Sequence, residues 1–230
     1  MSSSSTGISD AVRRVQIARR KPVLKVIEAN DESVRISKNV EDLVINLRIT
    51  LGRKQDWNIN TRITLLDKLL HVFAQYSKFN IYLQVEAEVM KPVNQIVENV
   101  GRALGEALSI LARERSKTTG VKALGYSQGL YEEAFAEVRI LISDKVGCWI
   151  TRGANVKFFG RIGDLSEEAM KSLFVEFAQG INGTLHIDLL RGEDPYNLWH
   201  AVFIAFGEAL RQAFTEDEWN KQKTIAQTPT

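Results

Sequence analysis

Cysteine is nearly absent from this chain, which has Cys148 as its single one among 230 residues. One cysteine excludes an internal disulfide, and the apolar stretch 146–150 around it favours a small buried hydrophobic residue. No apolar run approaches the roughly 18 residues of a membrane-spanning helix, and the first residues lack the apolar core of a signal peptide. We therefore expect a cytoplasmic protein that does not bind a membrane.

Common catalytic motifs are missing as well. The chain has no Gly-x-x-x-x-Gly-Lys-Ser phosphate loop, no Gly-x-Ser-x-Gly elbow and no pair of cysteines. Its three histidines, His71, His186 and His200, are far apart in the sequence. Zinc chemistry and nucleophilic catalysis therefore lack the side chains that they need. The apolar periodicity places His71 on a helix and His186 on a strand, where we expect structural roles.

What the chain does contain is a repeated helix. Two segments, 94–108 and 196–210, carry apolar residues at the three- and four-residue spacing of an amphipathic helix. Each ends in Gly-Glu-Ala-Leu and has a proline just before it or at its start, Pro92 or Pro195. Upstream of each, a Phe-Ala-Gln triplet precedes an alternating strand. The order helix, strand, helix thus occurs twice, about one hundred residues apart, and predicts an internal duplication.

The strand and helix patterns predict an α+β protein with two tandem lobes, each with its helices packed on one face of a sheet. We place the first lobe at residues 31–118 and the second at residues 119–214. Residues 1–30 are predicted to be a flexible, Ser-rich start with a basic arm, and residues 215–230 a polar tail.

The same segments resemble the imidazoleglycerol-phosphate dehydratase family. Residues 61–70, Thr-Arg-Ile-Thr-Leu-Leu-Asp-Lys-Leu-Leu, are similar to its Thr-Gly-x-Gly-Phe-Leu-Asp-His-Met-Leu, and residues 184–187 to its Thr-Leu-His strand. Residues 94–98 and 196–200 align with its two His-His-x-x-Glu helix starts. The resemblance spans roughly residues 35 to 214. It implies two copies of a fold like the second domain of ribosomal protein S5.

The resemblance also implies a reaction, which is the removal of water from imidazole glycerol phosphate with two manganese ions, a step of histidine biosynthesis. The eight metal-ligand positions of the family fall here on Lys68, Asn94, Gln95, Glu98, Ser172, Tyr196, Asn197 and His200. Only Glu98 keeps the residue type of the family. We therefore expect no metal cofactor and a catalytically inactive protein that binds or scaffolds a partner. A divergent dehydratase-like enzyme and a regulatory subunit of an active dehydratase are the alternatives.

A salt bridge between Lys68 and Glu98 is expected to fill the former metal site, because a protonated ammonium repels a metal ion. In the stretches where the family binds phosphate, this chain has Lys122 and Lys145. Lysine lacks the bidentate fork of arginine, so these two are either phosphate ligands or ordinary surface lysines, and we do not expect a small-molecule phosphate ligand. Glu133 matches an acidic position of the family and is expected to face solvent.

Five cations lie close together near the N-terminus: Arg13, Arg14, Arg19, Arg20 and Lys21. If residues 9–21 are helical, heptad spacing brings most of them onto one side, in a strip that can contact several phosphates. RNA or the ribosome is therefore a candidate partner, while a packing arm between subunits and a solvated tail are the alternatives. The family builds a cage from trimers, so the resemblance also implies a homo-oligomer, either a trimer or a larger cage.

Overall fold

The computed structural model describes residues 22–154, 156 and 160–221. The basic arm of residues 9–21, with its five cations, lies outside the described residues. Within the described part of the chain, no helix is both long and apolar enough to cross a membrane.

The first lobe contains a five-stranded sheet, called sheet 1, and two helices. Its strands are β1 (Val23–Ala29), β2 (Ser33–Val40), β3 (Leu43–Thr50), β4 (Asn58–Asn60) and β5 (Asn80–Ala87), and its helices are α1 (Thr64–Ser77) and α2 (Val93–Thr118). The strand order is β1-β2-β3-β5-β4, and every neighbouring pair is antiparallel except β4 beside β5. Apolar side chains alternate on β3, as the two-residue period of a half-covered strand requires.

The second lobe repeats this plan with a four-stranded sheet, called sheet 2. Its elements are β6 (Leu124–Tyr131), β7 (Ala134–Ile142), β8 (Gly147–Arg152), a small hairpin of β9 (Arg161–Ile162) and β10 (Leu165–Ser166), α3 (Glu167–Ile181), β11 (Gly183–Arg191) and α4 (Pro195–Ala213). A single helical turn at Glu218–Asn220 follows. Sheet 2 has the order β6-β7-β11-β8, in which β8 is parallel to β11.

The strand order confirms the predicted α+β architecture of two similar lobes. The sequence β2-β3-β5-β4 in sheet 1 repeats as β6-β7-β11-β8 in sheet 2, with one parallel pair in each. Among the described residues, strand β1 has no counterpart in sheet 2. Because Val26 of β1 lies opposite Ile36 of β2, the first sheet begins at Val23, inside the segment 1–30 that the sequence assigned to a flexible start. The lobe boundary placed at residue 31 stays a prediction, and β1 joins the first sheet ahead of it.

The two lobes share one core because their helices pack on each other across the lobe boundary. Helix α1 lies against α4, and α2 lies against α3. The repeated Gly-Glu-Ala-Leu motif makes both crossings close: Gly105 of α2 meets the backbone of Phe177, and Gly207 of α4 meets the backbone of Phe73. The buried apolar residues of both sheets and all four of these helices form one continuous cluster.

Candidate functional site

The eight former ligand positions fall into two groups, because the helices pair across the lobes. On the α1–α4 pair lie Lys68, Tyr196, Asn197 and His200, and on the α2–α3 pair lie Asn94, Gln95, Glu98 and Ser172. The two groups have different surroundings.

Hydrogen bonds to backbone amides build the start of α4. The Asp194 carboxylate caps the helix, accepting from the backbone nitrogens of Tyr196 at 2.8 Å and Asn197 at 3.1 Å. Glu133, in the turn before β7, accepts from the Asn197 side-chain amide at 2.8 Å and from the backbone nitrogen of Asp194 at 2.9 Å. The amide of a former ligand position is therefore bonded within the chain.

Glu133 differs from its predicted role as a solvent-facing carboxylate. It is half-buried, and its Oε1 also accepts from the backbone nitrogen of Glu193 at 3.2 Å. The hydrogen bond from Asp194, followed by that from Asn197, lowers the pKa of Glu133 to about 2. The sequence pattern did not predict these contacts, because their donors lie about sixty residues further along the chain. The position of Glu133 in the β6–β7 turn was the one available signal.

His200 is packed between aromatic rings. Its imidazole stacks on Tyr131 with a centroid separation of 3.6 Å, and the Tyr196 ring lies 5.8 Å away. Burial lowers the pKa of His200, which favours the neutral ring at pH 7. Its Nδ1 atom is buried without a hydrogen-bond partner among the described residues. The imidazole at this position therefore has its ring face covered rather than open.

Lys68 and Tyr196 share an open cavity of about 460 Å³ between α1 and the start of α4. Asp164, from the β9–β10 turn, is a third polar residue of its wall, and Leu65 and Ile162 are apolar members. The Lys68 side chain is exposed. An ammonium thus occupies this cavity where the family resemblance places a metal ligand.

Glu98 lies in a different cavity, of about 370 Å³, beside α3. Two ion pairs line it: Lys38 Nζ with Glu106 Oε2 at 2.7 Å, and Arg102 Nε with Glu176 Oε2 at 2.8 Å. Burial is the largest effect on Lys38 and lowers the pKa of its ammonium. Lys38 is 3% exposed and stands at a core-facing position of β2.

The predicted salt bridge between Lys68 and Glu98 is wrong. The two residues line separate cavities, and no ion pair joins them in the described part of the chain. The reason is the helix pairing, since α1 faces α4 while α2 faces α3. The cations beside Glu98 are instead Lys38 and Arg102, which already have carboxylate partners.

The other positions of the α2–α3 group make few polar contacts. Asn94 is exposed in the first turn of α2, and Gln95 and Ser172 are half-buried. The Asn99 side chain donates to the backbone carbonyl of Gln95 at 2.8 Å. The structure places these residues on the predicted helices but does not assemble them into a donor cluster.

Lys122 and Lys145 lie at the same end of sheet 2. The backbone nitrogen of Ile142 donates to the carbonyl of Ala123 at 2.8 Å, which joins the start of β6 to the end of β7. Both lysine side chains are exposed. The phosphate-binding role considered for these two lysines stays a prediction.

A sequence model of the imidazoleglycerol-phosphate dehydratase family matches residues 61–210, which is more than half of the chain. The chain belongs to the imidazoleglycerol-phosphate dehydratase family. The matched segment includes all eight former ligand positions, and both halves of the duplication contribute to it.

Individual members of the dehydratase family are also similar to this chain over most of their length. The imidazoleglycerol-phosphate dehydratase of Thermodesulfovibrio yellowstonii is 30% identical over 182 residues, which are 77% of this chain and 90% of that protein. The one from Acidithiobacillus ferrooxidans is 25% identical over 82% of this chain and 92% of its own. Among solved structures, the Staphylococcus aureus enzyme is 21% identical with a TM-score of 0.67, covering 80% of this chain and 99% of that one. This last likeness concerns the fold.

The side chains present do not fit the manganese centre that membership of the dehydratase family implies. Such ions take imidazole nitrogen and carboxylate oxygen. Within the described residues, no group of three or more His, Cys, Asp or Glu side chains could hold a metal ion. A divalent cation near Glu98 would also meet Lys38 and Arg102, and like charges at that range repel.

Two further histidines of this dehydratase-family chain have local partners. His71 lies 2.7 Å, through Nδ1, from the carbonyl oxygen of Asp67, one turn earlier on α1. His186 stacks on Trp149 with a centroid separation of 4.8 Å. Sequence reasoning missed Lys38, although its place after Val34 and Ile36 in the two-residue alternation of β2 is a signal for an inward-facing charge.

Proposed function

We propose that this protein is a non-catalytic member of the imidazoleglycerol-phosphate dehydratase family that binds or scaffolds a partner. The observation that carries the proposal is the chemistry around the former ligand positions. The carboxylate that remains, Glu98, shares its cavity with Lys38 and Arg102. The group on the α1–α4 pair has the ammonium of Lys68 and the phenol of Tyr196. It also has the amide of Asn197, already bonded to Glu133, and the stacked imidazole of His200.

Loss of function at this site follows from the donor types. Lysine is protonated at neutral pH and has no lone pair for a metal, and a side-chain amide is a weaker ligand than an imidazole or a carboxylate. The fold itself is retained, since the core and both lobes are complete. A fold that keeps its packing but loses its reactive side chains supports binding rather than chemistry.

The dehydratase reaction tests the proposal directly. Purified protein is assayed with imidazole glycerol phosphate and added manganese, beside the Thermodesulfovibrio yellowstonii relative as the positive control. We expect no turnover from this chain and less than stoichiometric manganese by elemental analysis after dialysis. Turnover that disappears in Glu98→Gln would overturn the proposal and favour the divergent enzyme of histidine biosynthesis.

The partner class is proposed from the sequence of residues 9–21. Five cations there suit the phosphates of RNA or the ribosome, and a regulatory association with an active dehydratase is the competing role. A pull-down from native lysate, with and without nuclease, separates them. Loss of the captured partner on nuclease treatment supports RNA, whereas capture of a dehydratase in both arms supports the regulatory role.

A homo-oligomer, as a trimer or a larger cage, is part of the same proposal. The family resemblance motivates it, and metal ions are not expected to bridge the subunits here. Apolar surface and ion pairs would then have to hold the copies together. Light scattering at micromolar concentration should give a mass above the 25.9 kDa of one chain.

A further inference from the structure

A cavity of about 530 Å³ lies between the C-terminal end of α1 and the loop that joins β3 to β4. Its lining residues come from this loop, from the end of α1 and from the start of β5, and they are Gly52, Lys54, Trp57, Gln75, Lys78 and Asn80. Cavities of about 300 to 1,000 Å³ are the usual size for small-molecule sites. None of these residues lines the cavities of Lys68 and Glu98, so this cavity is separate from the former metal site.

A buried amide holds the loop wall of the cavity in place. Asn80 is 5% exposed, and its Nδ2 donates to the backbone carbonyl of Arg53 at 2.9 Å. Its Oδ1 accepts from the backbone nitrogen of Gln55 at 2.7 Å. These two hydrogen bonds tie the loop to the first residue of β5. A wall that is fixed before a ligand arrives reduces the cost of ordering on binding.

Trp57 supplies an aromatic wall. Its ring packs against the apolar core and meets the His71 ring edge-on, with the ring centroids 6.3 Å apart. The Lys54 Nζ atom lies 5.2 Å from the Trp57 ring centroid. The indole Nε1 atom is buried without a hydrogen-bond acceptor among the described residues. An unpaired buried N–H is costly, and a bound ligand is one source of the missing acceptor.

The cavity has two cations and no carboxylate in its lining. Lys54 and Lys78 are exposed, and neither has an ion-pair partner in the described part of the chain. Lys78 ends α1 in the left-handed conformation, with φ at 61°, where glycine or asparagine is the usual residue. The negative end of the helix dipole favours a cation there, but it does not relieve the backbone strain.

The duplication provides an internal reference for this cavity. In the second lobe, α3 ends at Asn182, also in the left-handed conformation, with φ at 55°. The Thr184 hydroxyl donates to the backbone carbonyl of Lys145 at 2.9 Å and so ties the β7–β8 loop to β11. That loop, residues 143–146, is shorter and has no aromatic residue. The tie is thus common to both lobes, whereas the aromatic wall and the cation at the helix end are features of the first.

We propose that this cavity binds a small anion that carries a flat ring, of about the size of a nucleoside monophosphate. The ring packs on Trp57, and the acidic group pairs with Lys54 and Lys78. Because the Lys54 ammonium lies over the indole, an acidic group paired with it is next to the ring, and one small molecule can contact both. Lysine binds phosphate and carboxylate as a point charge, so either acid suits the site.

This binding site goes beyond the function proposed above, since it depends neither on the loss of dehydratase chemistry nor on the basic arm. The sequence-based expectation of no small-molecule phosphate ligand concerned Lys122 and Lys145. Neither of those lysines lines this cavity.

Isothermal titration of the full chain with four probes tests the ligand class. Adenosine monophosphate has a ring and a phosphate, and indole-3-acetate has a ring and a carboxylate. Adenosine lacks the acid, and ribose 5-phosphate lacks the ring. We expect at least one of the two ring-bearing anions to bind with one site per chain, about tenfold or more tighter than adenosine and ribose 5-phosphate. The ring-bearing anion that binds more tightly identifies the acid.

Three substitutions locate the site. Lys78→Asn introduces the residue type that ends α3, so the fold is kept while a charge is lost. Lys54→Gln removes the second charge, and Trp57→Leu removes the ring but stays apolar. Each should weaken binding about tenfold. Lys221→Gln, at an exposed lysine that does not line the cavity, is the matched control and should bind as the wild type does.

Far-ultraviolet circular dichroism confirms that each variant is folded, and Lys78→Asn decides the matter if Trp57→Leu is not. The proposal is overturned if neither ring-bearing anion binds, or if adenosine or ribose 5-phosphate binds equally well. It is also overturned if Lys78→Asn binds as tightly as the wild type. Binding that is lost with the five arm cations but kept in Lys54→Gln would assign the anion to the arm instead.

Discussion

Lys38 Nζ lies 2.7 Å from Glu106 Oε2, so that a core-facing position of β2 is joined to α2 by an ion pair. The side chain of Lys38 is 4% exposed and that of Glu106 is 24% exposed. The pair is therefore asymmetric: the ammonium depends on the carboxylate for its solvation, while the carboxylate also reaches water. This asymmetry makes the two possible single substitutions unequal.

Glu106→Gln should destabilise the protein more than Lys38→Met does. The first leaves a buried ammonium without its counter-charge, at about 3 kcal/mol, whereas the second leaves a carboxylate near water, at about 1 kcal/mol. Urea denaturation at pH 7 measures both. The double variant should recover part of the loss relative to Glu106→Gln alone, and equal losses in the two single variants would contradict this account.

Gly105→Ala should destabilise the α2–α3 crossing. An added Cβ would overlap the carbonyl oxygen of Phe177 and lie 2.6 Å from the backbone nitrogen of Ile181, and backbone atoms cannot move aside cheaply. Overpacking of this kind typically costs about 1 to 3 kcal/mol. Asn94→Ala, at an exposed position of the same helix, is the control. If the Gly105→Ala variant melts at the same temperature as the control, the account is contradicted, because α2 and α3 would then move apart at no cost.

Glu133→Gln should destabilise the protein in a pH-dependent manner. Because the folded-state pKa of Glu133 is lowered to about 2, its charge stabilises the fold above the ordinary pKa of 4.5, and that contribution is lost as pH falls from 4.5 towards 2. The difference in urea midpoint between wild type and variant should therefore shrink between pH 5 and pH 3. Glu132→Gln, which changes an exposed neighbour in the same turn, is the matched control.

Replacing the five arm cations with alanine should abolish nuclease-sensitive binding while leaving the fold unchanged. Each phosphate contact contributes about 0.9 to the slope of log affinity against log salt on duplex nucleic acid, so a five-cation contact should weaken steeply with added salt. Co-sedimentation with ribosomes or RNA across a salt series measures this. If the variant sediments as the wild type does at every salt concentration, residues 13–21 are not the contact.

Periodicity along the sequence was sufficient to predict the two lobes, the helices and the duplication. The alternation on β3 and the spacing of apolar residues on α2 and α4 repeat every two to four residues, so a short stretch of sequence is enough to recognise them. The family resemblance likewise follows from short motifs, and the matched segment 61–210 confirms it. The replaced ligand types at the former metal positions could also be read directly.

Contacts between distant segments were decided only by the tertiary structure. Lys38 and Glu106 are 68 positions apart, and Glu133 and Asn197 are 64 apart, so no local pattern pairs them. The separation of Lys68 from Glu98 has the same origin, because it depends on which helix of one lobe meets which helix of the other. The sequence by itself thus determined which faces are apolar. Tertiary packing decided which of those faces are covered within one chain, and it left β1 and the outer face of sheet 2 exposed because the helix layer lies on the other side of sheet 2 and packs mainly on the inner strands of sheet 1.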